Sequence, residues 1–89
     1  MAKRSRLEII RDILRIIQKN HNSIRPTPLL RKTNISSKRF KEYYNELIEK
    51  KFIEEVALKK EKRISITKTG VRFLEEYKTI INFINEFGL

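Results

Sequence analysis

The chain has 89 residues, 39% hydrophobic and 36% charged, with two Gly, two Pro, no Cys and a formal charge of +10. A domain this short buries only about 60–65% of the surface its unfolded form exposes, which leaves room for a core but not for a substrate cavity as well. The composition excludes a disordered tail, disulfides and cysteine-ligated zinc, and apolar runs of at most three residues exclude a bilayer span or a signal-peptide core.

An intracellular, cytoplasmic protein is therefore expected. Its charge is one-sided: residues 1–41 carry twelve Lys and Arg against two acids, and residues 42–89 carry nine against nine. Such a field suits a polyanion binder, although a merely solubilising surface would have the same composition.

In chain order, Ser5-Arg6-Leu7-Glu8 has the form of a capping box and starts the first helix. Leu7, Ile10, Ile13, Leu14 and Ile17 then recur at three- and four-residue spacing and form its apolar face. Asn20-His21-Asn22-Ser23 breaks the pattern. Thr27-Pro28 reads as an N-cap followed by Pro at the first helical position, opening a short second helix over about residues 28–32. Thr33-Asn34-Ile35 is a tight turn, and Ser36 caps a third helix whose apolar face is Phe40, Tyr43, Tyr44, Leu47 and Ile48. Two helices so joined make a helix-turn-helix.

Residues 52–58 and 63–67 are β-favourable and partly alternating, and residues 59–62 form the polar loop of a short hairpin. Thr67 or Thr69 then caps a last helix containing Phe73, Leu74, Tyr77, Ile80, Ile81, Ile84 and Phe87. The expected fold is mainly α with a small β-hairpin (α+β), in the order ααα-ββ-α of a winged helix-turn-helix. Residues 1–67 form the winged unit and residues 68–89 the C-terminal helix.

Three strings carry a more specific likeness: Leu7-Glu8-Ile9-Ile10-Arg11-Asp12-Ile13-Leu14; Asn34-Ile35-Ser36 leading to Tyr43-Tyr44-x-x-Leu47; and Ile66-Thr67-Lys68-Thr69-Gly70-x-x-Phe73-Leu74. With these the chain resembles the small archaeal winged-helix DNA-binding proteins that include the ten-kilodalton chromatin proteins of the Sulfolobus type. The resemblance implies binding to double-stranded DNA, often as a dimer joined through the C-terminal helix. Members usually have Gly between the recognition helix and the first wing strand, where this chain has Lys50-Lys51-Phe52. A left-handed cap at Lys51 would cost about 1 kcal/mol relative to Gly, so either the cap differs here or the cost is accepted.

At 100° per residue, Phe40, Tyr44 and Leu47 centre the buried face of the third helix. Lys38, Glu42, Asn45 and Glu49 then point outward, with Arg39 and Lys41 on the flanks. The first turns of such a helix read base edges, so Lys38, Arg39 and Lys41 are assigned to guanine, Asn45 to adenine and Glu42 to cytosine. Lys38 and Glu42 are also spaced to pair with each other on a solvated face. Ser36 and Ser37 stand at a helix start that suits a phosphate, and Arg25, Thr27, Arg31 and Lys32 surround the second helix as phosphate clamps. Lys59, Lys60, Lys62 and Arg63 are the wing contacts, for the minor groove or flanking phosphates. Lys3, Arg4 and Arg6 form a basic arm.

Phe73, Tyr77, Ile80, Ile84 and Phe87 have coiled-coil a/d spacing, widened by Leu74 and Ile81. A helix about 30 Å long outruns the rest of the fold and would leave its distal half exposed in a monomer, so Phe73, Tyr77, Ile80, Ile81, Ile84 and Phe87 are assigned to a homodimer seam; the alternative is that Ile80, Ile81 and Phe83 fold back on the first helix. The lone His21 stands in a polar turn with no partner, and no set of nucleophile, base or metal ligands is present. No enzyme activity, cofactor, metal, membrane or small-molecule substrate is expected. The reading is a double-stranded DNA-binding protein, either a transcription regulator or nucleoid-associated. The alternative is a protein-interaction module of the transcription or replication machinery with incidental DNA contact.

Overall fold

The computed structural model describes residues 4–89. In chain order it contains α1 (Arg6–Lys19), β1 (Ser23–Ile24), α2 (Pro26–Thr33), α3 (Ser37–Glu49), β2 (Ile53–Leu58), β3 (Glu61–Ile66) and α4 (Lys68–Glu86). The expected order is present, with one addition. Ser23-Ile24 is a two-residue strand that pairs antiparallel with Ser65 and Ile64, so the hairpin becomes a three-stranded sheet in the order β1-β3-β2. Two residues between polar neighbours carry no alternation from which a strand is legible.

α1 starts at a complete capping box, in which the Ser5 hydroxyl accepts from the Glu8 N–H and the Glu8 carboxylate accepts from the Ser5 N–H. Its buried face is Ile9, Ile10, Ile13, Leu14 and Ile17. Leu7 is 52% exposed, so the stripe is rotated toward Ile9 relative to the expected one.

α2 begins two residues earlier than expected. Arg25 is its N-cap in extended conformation and Pro26 takes the first helical position, while Thr27 lies inside the first turn and provides no cap. Both prolines tolerate this arrangement, because the first N–H groups of a helix have no intrahelical partner to lose. Asn34, at φ 57°, then turns the chain into α3. Ser36 caps that helix as expected, accepting from the Arg39 N–H at 3.2 Å.

The core joins the α1 face to Ile24, Leu29, Phe40, Leu47, Ile53, Ile64 and Ile66, with Tyr43, Tyr44, Phe52, Phe73 and Leu74 partly buried around it. α3 ends in a Schellman arrangement: the Lys51 N–H donates to Ile48 O at 3.0 Å and the Phe52 N–H to Leu47 O at 2.9 Å. Lys51 adopts φ 61°, so the left-handed cap is retained and its cost accepted. Lys51→Gly should therefore raise stability by about 0.5–1 kcal/mol, a gain of several degrees in Tm by thermal unfolding. An unchanged or lower Tm would show that the Lys side chain contributes something the backbone geometry does not.

The 51–52 turn is also where α4 is anchored. Thr67 is the N-cap of α4, accepting from the Gly70 N–H at 3.1 Å. The Thr67 hydroxyl donates to Lys51 O at 2.6 Å, and its N–H donates to Phe52 O at 3.0 Å. Gly70 lies directly against this turn: a methyl built on it would overlap the Phe52 carbonyl and stand 2.8 Å from Ile66 Cγ1. The Ile66-Thr67-x-x-Gly70 string is thus a docking device, in which Ile66 fills the core, Thr67 ties two segments and Gly70 permits their approach.

Candidate nucleic-acid interface

α2 and α3 are joined by Asn34-Ile35-Ser36, and this short turn sets the basic end of α2 beside the first turn of α3. Arg31 and Lys32 occupy the last turn of α2 and are exposed. On α3, Ser36, Ser37, Lys38, Arg39, Lys41, Glu42 and Asn45 are all exposed, as the helical geometry requires when Phe40 and Leu47 are buried. Because the Ser36 cap takes the Arg39 N–H, the Ser37 and Lys38 N–H groups remain at the open helix end.

The hairpin is tighter than expected. Leu58 pairs with Glu61, so the loop is Lys59-Lys60 alone, with Lys59 at φ 56°, and Lys62 and Arg63 belong to β3. This divides the four wing cations. Lys59 and Lys60 stand exposed at the tip, Lys62 pairs with Glu55 at 2.7 Å, and Arg63 is held among its neighbours. Its Nε donates to Ser23 Oγ at 2.8 Å, its Nη2 to Ser23 O at 3.1 Å, and its Nη1 to Glu61 at 2.9 Å. Glu61 also accepts from Arg25 Nε, so one carboxylate bridges the start of α2 and the wing. Arg25 and then Arg63 hold the Glu61 carboxyl below the ordinary range, and Lys62 followed by Tyr44 does the same for Glu55. A cleft between the wing tip and the first turn of α2 is lined by Arg25, Thr27, Lys59, Lys60, Glu61 and Lys62, with Pro26, Pro28 and Leu58 as its apolar part.

Among the described residues, Arg31, Lys32, Lys38, Arg39, Lys41, Lys59 and Lys60 are exposed and none of them takes part in an ion pair. The basic arm is different. Lys3 lies outside the described residues, Arg4 donates to Asp12 at 2.9 Å and to Thr33 O at 2.8 Å, and Arg6 pairs with Glu46. Arg4 and Arg6 therefore lock the start of α1 onto α2 and α3 instead of forming a loose arm.

Sequence reasoning placed Tyr44 on the buried face and missed its hydroxyl, which donates to the Glu55 carboxylate. Burial of the ring and the neighbouring Glu55 carboxylate push the Tyr44 phenol well above its usual value. Glu61, which bridges Arg25 and Arg63, is likewise not singled out by the sequence pattern.

The expected seam residues of α4 divide in two. The Phe73 ring packs at a tilt against Phe52, centroids 5.3 Å apart, and against Tyr77, 6.0 Å apart, and Arg11 lies over the Tyr77 ring at 5.3 Å, so this proximal part packs within the fold. Farther along, Ile80, Phe83 and Phe87 are 56%, 56% and 62% exposed, while Ile81 and Ile84 are half-buried. The Phe83 and Phe87 rings pair at 4.7 Å. Ile80 and Phe83 do not fold back on α1, whereas Ile81 lines a groove against Arg11, Arg15 and Gln18.

Among the described residues, no group of three His, Cys, Asp or Glu is arranged to hold a metal ion, and no helix is long and apolar enough to cross a membrane.

A helix-turn-helix, a hairpin directly after its second helix and a final helix closing the core together define a winged helix. The sequence matches the winged helix-turn-helix family over residues 3–85, and the chain belongs to that family. Among solved structures the fold is similar to that of F93 from STIV, a winged-helix DNA-binding protein, with a TM-score of 0.73 and 20% identity over 89% of this chain and 91% of that one. It is similar also to Sso10a-2, a DNA-binding protein from Sulfolobus solfataricus, with a TM-score of 0.75 and 19% identity over 94% of this chain and 85% of that one. F-93 of SSV1 gives a TM-score of 0.67 and 23% identity over 97% of both chains. None of the curated protein sequences matches.

Proposed function

We propose that this protein binds double-stranded DNA as a non-enzymatic regulator of transcription or nucleoid-associated protein, with α3 in the major groove and the wing on the flanking backbone. The observation that carries this reading is the set of seven exposed, unpaired cations on α2, the start of α3 and the wing tip. Unpaired surface cations need no internal partner broken before they meet a phosphate. The open N–H groups at the start of α3 add donors for the same oxygens. F93 and Sso10a-2, which share the fold, are themselves described as DNA-binding. In this reading two copies join through the distal part of α4, at Ile80, Ile81, Phe83, Ile84 and Phe87, and the protein works in the cytoplasm, at the nucleoid.

The test is a duplex titration across salt. With about six to ten phosphates neutralised, affinity should fall on the order of 10³–10⁵ between 50 and 200 mM salt. A Lys38→Ala/Arg39→Ala/Lys41→Ala variant should lose on the order of 10²–10³ in affinity at 100 mM salt and flatten the slope by about three contacts. A flat salt response, or equal binding by this variant, would refute the reading and favour a protein partner for the same surface. The ratio of specific to non-specific affinity then separates a regulator from a nucleoid protein.

A further inference from the structure

β2 is an edge strand, because the sheet order places β3 between it and β1. The base of the β2–β3 hairpin is anchored by buried Ile53, Ile64 and Ile66, but from Glu55 outward β2 has no buried residue. A two-stranded hairpin is marginal without further packing, so something must hold its outer half in place. Side chains alternate across a strand, and the cross-strand register puts Glu55, Ala57, Lys62 and Ile64 on one face and Val56, Leu58, Glu61 and Arg63 on the other.

Each face has its own tie. On the second, Glu61 joins Arg25 to Arg63, and Arg63 is held by Ser23. On the first, the Tyr44 hydroxyl donates to the Glu55 carboxylate, and Lys62 Nζ lies 2.7 Å from the same oxygen. Tyr44 belongs to α3, one turn beyond Lys41, and its ring stacks on Phe40 with centroids 5.9 Å apart. One hydroxyl therefore connects the helix that carries Lys38, Arg39 and Lys41 to the hairpin that carries Lys59 and Lys60.

We propose that Tyr44 is a positioning residue for DNA binding: through Glu55 and Lys62 its hydroxyl fixes the angle between wing and α3, so that the tip lysines and the α3 cations engage one duplex together. This rests on the DNA-binding reading above. Tyr44 itself touches no DNA. Its contribution appears as effective concentration, since a wing held at the right angle makes its phosphate contacts without first being ordered.

The experiment is a double-mutant cycle on duplex affinity with Tyr44→Phe and Lys59→Ala/Lys60→Ala. Tyr44→Phe keeps the ring on Phe40 and removes only the hydroxyl, so Tm should change by no more than a few degrees. In the otherwise native protein it should raise Kd about five- to tenfold, the scale of one ordinary hydrogen bond. The double lysine variant should reduce the salt slope by about 1.8, two contacts' worth. In that background Tyr44→Phe should change Kd less than twofold, because the contacts it positions are gone. An unchanged Kd for Tyr44→Phe alone, or the same fold loss in both backgrounds, overturns the proposal; the second result would leave Tyr44 a purely structural residue. Failure of the native protein to bind duplex at all would instead remove the DNA reading. Binding with an additive cycle removes only the positioning role.

Discussion

Gly70→Ala is expected to destabilise the fold by on the order of 2 kcal/mol, a fall of roughly 8–16 °C in Tm for a domain of this size, despite placing a better helix former inside α4. Helix propensity alone predicts the opposite sign, a gain of about 1 kcal/mol. The geometry at the site decides against it. The added methyl would overlap the Phe52 carbonyl and crowd Ile66 Cγ1, and the carbonyl is fixed because it already accepts the Thr67 N–H. Relief would require α4 to move outward, loosening Phe73 from Phe52 and Thr67 from Lys51 O. Thermal unfolding of the variant beside native protein measures this directly. A rise in Tm would mean that α4 can shift without cost and that the Thr67 tie is weak. Gly88, at φ 72° with nothing within 4 Å of a built methyl, is the contrasting case, where only backbone strain would oppose substitution.

The features legible in the sequence were those generated by local rules. Ser5, Ser36 and Thr67 all cap helices as their spacing suggests, since a hydroxyl three residues before a free N–H needs no tertiary information. The order of elements and the exposure of Lys38, Arg39 and Lys41 follow from helical periodicity in the same way. What was not legible depended on partners distant in sequence. Thr27-Pro28 looked like a cap, but Pro26 competes for the same position, and the pairing of Ser23-Ile24 with β3 brings the helix start forward. Leu7 fitted the α1 stripe by spacing, yet Ile9 stands on the buried face in its place and Leu7 is exposed. The wing cations were assigned as one group. The two-residue loop separates Lys59 and Lys60 at the tip from Lys62 and Arg63, whose acid partners sit across the hairpin and, for Arg63, one position before Lys62. Charge counting cannot distinguish a free cation from a paired one, and this distinction decides which residues are available to a phosphate.

The distal part of α4 leads to the other prediction of large effect. Ile80, Phe83 and Phe87 repeat at i, i+3 and i+7 on one face of a helix about 28 Å long, and each is more than half exposed. Three large apolar side chains in a row on a monomer form a patch of the kind that normally marks an interaction site. The proximal part of the same helix is already occupied by Phe52 and Arg11, so a partner helix would meet only the distal seam. Ile80→Asp/Phe83→Asp should therefore convert a dimer to a monomer in sedimentation equilibrium while leaving Tm at low protein concentration nearly unchanged, because neither side chain supports the core. On a duplex with two half-sites about 34–36 Å apart, the variant should bind on the order of 10²–10⁴ more weakly, whereas on a single half-site the two proteins should bind alike. A native protein that sediments as a monomer at tens of micromolar would overturn the seam and leave α3 and the wing as the whole interface. Equal loss on both duplexes would instead place the distal helix against the DNA itself.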